Sequence, residues 1–133
     1  MKIAICSSMA FAKEMIQTKT ELEKLGHKVT LPLNTKTHAE GKIKEENKWE
    51  KVYWEVFKGY FKVIKKNDAI LVLNHDKNGI KGYVGGNSLI EMAFAYVLDK
   101  KIFLLQEIPK MNYTDEIFAM KPTIINNDLR KIK

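Results

Sequence analysis

The stretch Gly85-Gly86-Asn87-Ser88-Leu89-Ile90-Glu91 sets two glycines and two small polar residues ahead of one carboxylate, which is followed by apolar Met92, Ala93 and Phe94. Two chemistries suit this order. Ser88-x-x-Glu91 has the spacing of a capping box, in which the serine closes a helix start and the glutamate reaches back to the serine's amide. The same geometry sets an ionised carboxylate beside the free amides and partial positive charge of that helix start. There it can act as a nucleophile or stabilise an oxocarbenium ion. Capping accounts for Ser88 and Glu91 but leaves Gly85, Gly86 and Asn87 without a purpose. In the second role the glycines admit a ligand close to the backbone, and Asn87 and Ser88 can bond sugar hydroxyls or phosphate oxygens. The two roles are compatible.

Other reactive side chains are sparse. Cys6 is the sole cysteine, so no internal disulfide can form, and a reducing compartment, the cytoplasm, is expected. At the end of an apolar run it reads as packing rather than as a nucleophile. His75 and Asp76 adjoin Asn74, but His27 and His38 stand apart, and no second cluster has metal-ligand spacing. The "GGNS" turn lacks the G-K-[ST] ending of a Walker loop, and the dinucleotide fingerprint is missing after the first strand. Neither a metal nor a cofactor is expected.

The elements that must hold these groups alternate between short β-rich runs and longer helical patterns. Strands are expected at 2–6, 28–33, 68–74 and 100–106, with a last one in "KPTIIN". Apolar positions at 11, 15, 22 and 25 predict a first helix, closed by Gly26 just past its C-terminus. Pro32 points to an edge position for the second strand. Residues 34–48 are polar and aperiodic and read as one long loop. A helix rich in aromatics is expected from about 49 to 66, holding Trp49, Tyr53, Trp54, Phe57, Tyr60 and Phe61. Most of these should be core, with some left for a ligand or a second subunit. A helix at 88–98 and a short one in "YTDEIFAM" complete the pattern, and the basic tail reads as a frayed end.

This alternation predicts a single α/β domain over 1–133: a flavodoxin-like, doubly wound, five-stranded parallel sheet in the order 2-1-3-4-5, covered on both faces. Ligands of such sheets sit beyond the carboxyl ends of the strands, near the switch in strand order. The loops Cys6–Met9 and His75–Asn87 both end there.

Composition bounds the function. With 45% hydrophobic and 29% charged residues, the chain has the make-up of an ordinary globular domain. The opening "MKIAICSSMAFAKEM" imitates a signal peptide, but Ser7 and Ser8 break its apolar part and an amphipathic pattern follows, so a first strand and helix are expected. No apolar run approaches the ~20 residues of a membrane span. The net charge of +7 comes almost entirely from lysine, since Arg130 is the sole arginine. Scattered lysines draw in anions generally, whereas bidentate base or phosphate reading favours arginine. Nucleic acid is therefore not the expected partner.

The order "DAILVLN", a glycine-bearing loop, "GGNSLIEMAFAYVLDKKIFLL" and a short acidic helix resembles the nucleoside 2-deoxyribosyltransferase superfamily, including its nucleotide N-hydrolase branch. The match lies in Glu91, Ala95 and the "DKKIFLL" turn and strand, and the opening "KIAICSSMAFAKEM" resembles the family's first strand and helix. The layout is similar over most of the chain, and the motif itself over 85–105. The resemblance implies cleavage or transfer at the N-glycosidic bond of a nucleoside or nucleotide, with Glu91 acting at the anomeric carbon. It implies that Ser7, Ser8 and Met9 line the sugar or 5′-phosphate pocket, that Asp76 binds or protonates the base, and that the protein forms a homo-oligomer. Gly85 stands where many members carry an aspartate, and Ala93 where they carry a glycine. That departure motivates the alternative, a catalytically inactive nucleotide-binding or sensing module on the same scaffold.

Overall fold

The computed structural model describes residues 1–42, 48–53 and 55–133. Its elements, in chain order, are β1 (Lys2–Cys6), α1 (Ala12–Lys24), β2 (Lys28–Thr30), α2 (Thr35–Ala39), α3 (Lys48–Tyr53) and α4 (Val56–Lys65). They continue with β3 (Ala69–Val72), α5 (Gly86–Val97), β4 (Lys101–Leu104), α6 (Thr114–Ala119) and β5 (Thr123–Ile124). The strands form one five-stranded sheet in the order β2-β1-β3-β4-β5. Every pairing is parallel. This is the flavodoxin-like arrangement expected from the alternation of strands and helices.

Register follows from the two-residue period of the strands. Ile3, Ile5, Leu71, Leu73 and Phe103 face one side and pack with Met15 and Leu22 of α1. Ala4, Cys6, Ile70, Val72, Ile102 and Leu104 face the other, against Tyr60 and Ile64 of α4, Met92 and Ala95 of α5, and Ile117 of α6. Both faces are apolar because both are covered, which is why β3 reads as an unbroken hydrophobic run. Each Ile, Leu, Val, Phe or Met among them contributes roughly 1.5–3 kcal/mol on burial.

Local signals set the element ends. Gly26, at φ 94°, closes α1, with the His27 amide donating back to the Leu22 carbonyl at 3.1 Å. β2 pairs only with β1 and so is an edge strand, and it ends at Thr30, before Pro32. The Pro32 carbonyl instead accepts from the Thr35 hydroxyl at 2.6 Å.

Three expectations change. The aromatic helix is two pieces, α3 and α4, because Glu55 lies in the left-handed region at φ 46° and breaks the run. The region 34–48 contains α2. Its part at 43–47 lies outside the described residues, as do Trp54 and the side chain of Tyr53. The basic tail is not frayed: Leu129–Lys131 forms a 3₁₀ turn, and Ile132 is buried in the core beneath the α1 face. Among the described residues no helix is long and apolar enough to cross a membrane.

Candidate functional site

Glu91 projects from the inner face of α5, in line with Ser88, Met92 and Ala95, at the three- and four-residue spacing of one helical stripe. It is only 8% exposed. Its neighbours are Cys6, at the end of β1, and Tyr60 of α4. Burial pushes the Cys6 thiol well up, and the charge of the adjacent Glu91 adds to the effect. The Tyr60 hydroxyl is raised for the same reasons, burial first and then Cys6 and Glu91. Tyr60 donates its hydroxyl hydrogen to the Ile5 carbonyl, which ties α4 to the rim of the sheet.

The capping box does not form. The helix begins two residues earlier than the spacing predicted, at Gly86, with Gly85 as its N-cap and no side-chain cap bond. Ser88 has already turned helical and is 3% exposed, so it cannot adopt the extended backbone of a capping residue. Glu91 therefore lies in the second turn, nearly buried, beside a space at the sheet rim.

That space is a hollow of about 320 Å³. Glu91, Ser7, Asn87 and Tyr60 supply its polar groups, and Met9, Leu31, Pro32, Leu33, Val56 and Val63 its apolar walls. Ser7 is fixed by its hydroxyl, which donates to the Leu73 carbonyl at 2.9 Å and so links the ends of β1 and β3. A second hollow of about 410 Å³ adjoins the first, sharing Met9 and Asn87 with it. Ser8, Lys51, Lys77, Tyr83, Gly85, Gly86 and Ser88 form its sides.

The second hollow is electropositive by construction. It contains the start of α5, where backbone amides lack helical partners. Lys77 donates to the Ser8 hydroxyl oxygen at 3.0 Å and lies 5.5 Å from the centre of the Tyr83 ring. Lys51 donates to the Asn87 side-chain oxygen at 2.9 Å. Neither glycine is required by its backbone angles. At Gly86 an added Cβ would meet no atom within 4 Å, so a side chain there would project into space that a ligand could fill, while at Gly85 it would touch the Tyr83 ring at 3.4 Å.

Ser7, Ser8, Met9, Gly85, Gly86, Asn87, Ser88 and Glu91 are thus gathered around one paired cavity. Asp76 lines neither half. Its carboxylate accepts from the Gly82 amide at 2.9 Å and from the Gln106 side chain at 3.0 Å. The Gly82 amide bond, then Gln106, hold it below the ordinary aspartate range. Beside it Asn74 is wholly buried and bonds the Gly82, Gln106 and Glu107 carbonyls, each at 3.2 Å. Together these two residues fold the 74–85 loop.

Sequence reasoning missed Tyr60, Lys51 and Lys77 as individual site residues. Tyr60 was visible only as one of several aromatics in a helix, and the lysines only as two among many. Comparison of the chain with family models, with curated proteins and with solved structures finds no match.

Proposed function

We propose that this protein cleaves, or transfers a sugar at, the N-glycosidic bond of a nucleoside or its 5′-monophosphate, with Glu91 as the carboxylate that engages the anomeric carbon. The observation that carries this reading is a nearly buried carboxylate set in a largely apolar hollow that opens onto a cationic one. A nucleotide has the same division. The base and sugar suit the apolar half, against Tyr60 and Met9. The phosphate suits the half formed by Lys51, Lys77, Ser8 and the start of α5. Glu91 forms a bond to, or an ion pair with, the sugar carbon as the bond to the base nitrogen breaks and its electron pair leaves with the base. Water then completes hydrolysis, or a second base completes transfer. The reading does not require Asp76. It carries with it the expectation of a cytoplasmic homo-oligomer.

The test is incubation with deoxynucleosides, ribonucleosides and their 5′-monophosphates, with free or exchanged base followed by chromatography. Glu91→Gln should lower kcat/KM at least ~10³-fold, as loss of a reacting group does, while melting stays close to wild type. Absence of product from folded wild-type protein over the whole panel would refute the catalytic reading.

One observation favours a second reading, a binding module without turnover. Among the described residues Glu91 is the one carboxylate lining the two hollows, and Gly85 stands where the resemblance would put an aspartate. Thermal stabilisation by a nucleoside monophosphate with no base released supports that reading.

A further inference from the structure

A third hollow, of about 440 Å³, lies at the opposite end of the sheet from Glu91. It is set where β4 begins, where α5 and α6 end, and beside the C-terminal 3₁₀ turn. Lys101 is the first residue of β4, in register with Ala69 at the start of β3, whereas the Glu91 hollow opens beyond Cys6 at the other end of β1. The two sites share no lining residue.

The lining is unusual in charge. Lys100, Lys101, Lys121, Lys131 and Lys133 all contribute to it, and no carboxylate side chain does. Lys101 donates to the terminal oxygen of Lys133 at 2.7 Å, so its ammonium group already has an acceptor. Among the described residues no ion pair engages Lys100, Lys121 or Lys131. The carboxylate of the nearby Asp128 is bound to Arg130 at 2.9 Å and acts on the Lys131 side chain through its charge. The carbonyl ends of α5 and α6 favour some positive charge here. They account for a lysine after each helix, Lys100 and Lys121, but not for five lining one space.

We infer that this hollow binds a small anion carrying a chain of two or more phosphates, either free or attached to a nucleoside. Ammonium groups that line one hollow repel one another, and a multivalent anion relieves that repulsion in proportion to its charge. Lysine rather than arginine provides compact point charges, which suit a flexible phosphate chain rather than one planar group. The volume lies within the range of small-molecule sites. Tyr96, 46% exposed, stands on the wall as an aromatic side chain for an attached base to meet. The inference does not depend on the reading of Glu91.

The test is calorimetric titration of the whole chain at constant ionic strength with inorganic tripolyphosphate, orthophosphate, a nucleoside triphosphate and single-stranded oligonucleotides of increasing length. Three proteins are compared: wild type, Lys121→Gln/Lys131→Gln, and Lys51→Gln/Lys77→Gln. All four lysines lie on cavity walls outside the packed core, and equal unliganded melting checks that the variants fold. Tripolyphosphate should bind wild type about tenfold or more tighter than orthophosphate. It should lose at least about tenfold in Lys121→Gln/Lys131→Gln and change little in Lys51→Gln/Lys77→Gln. In the Lys51→Gln/Lys77→Gln protein, tighter binding of the nucleoside triphosphate than of tripolyphosphate assigns the attached form, and equal binding the free chain. The inference is overturned if orthophosphate binds as well as tripolyphosphate, or if the Lys51→Gln/Lys77→Gln protein carries the loss. It is equally overturned if affinity grows steadily with oligonucleotide length, which marks an extended nucleic-acid face.

Discussion

Gly82 is the point where the loop carrying Lys77, Tyr83 and Gly85 is anchored, and replacing it with alanine measures how firmly. Its φ is 70°, in the left-handed region. An added Cβ would lie 2.7 Å from the Glu107 carbonyl oxygen and 3.2 Å from the Asn74 side-chain nitrogen. The residue cannot slide away, because its amide is bound by Asp76 and its carbonyl by Asn74. Left-handed alanine costs about 1–2 kcal/mol, and overlap with a fixed backbone oxygen adds about 1–3 kcal/mol. Gly79→Ala isolates the first contribution, since Gly79 has φ 73° and nothing within 4 Å of its Cβ position. Taking about 2 kcal/mol for the overlap, and about 3–6 °C per kcal/mol for a chain of this size, Gly82→Ala should melt ~6–12 °C below Gly79→Ala. Calorimetric melts of the two variants and wild type decide the matter. Melting temperatures of the two variants within about 2 °C of each other would refute the claim that the Glu107 carbonyl is immovable.

Two further outcomes follow from side chains near the site. Tyr60→Phe removes the buried bond to the Ile5 carbonyl and should cost about 1–2 kcal/mol in urea unfolding, with the Glu91 hollow kept in shape by the remaining ring. Asp76 has a folded pKa depressed first by the Gly82 amide bond. The stability it contributes is therefore present above the unfolded aspartate value and is lost as pH falls through the lower folded value. Between about pH 5 and about pH 3 wild type should lose melting temperature more steeply than Asp76→Asn, which keeps an acceptor oxygen but does not titrate. Parallel slopes in the two proteins would contradict the assignment.

The scaffold was legible because it depends on local regularities. Alternating strand and helix patterns, the continuous apolar run at 69–72, the glycine at 26 and the proline at 32 each carry their own physical reason, and they agree with one another. The limits of that reading are equally physical. The break at Glu55 is a left-handed residue that no glycine announces, and the burial of Ile132 requires the tail to cross the finished core. Ser88-x-x-Glu91 satisfied a capping pattern, yet backbone geometry started the helix at Gly86.

The site divides along the same line. Residue type and spacing alone placed the loops Cys6–Met9 and His75–Asn87 at one rim of a parallel sheet, because strand order and the carboxyl-end rule depend only on element sequence. Only the tertiary structure decided that Glu91 is nearly buried beside Cys6 and Tyr60, that Lys51 and Lys77 close the neighbouring hollow, and that Asp76 is turned into its own loop. Those relations join residues far apart in the chain, 69 positions in the Lys77–Ser8 bond and more between Cys6 and Glu91. Contacts of that separation leave no periodic trace in a chain. They exist once packing has brought the elements together.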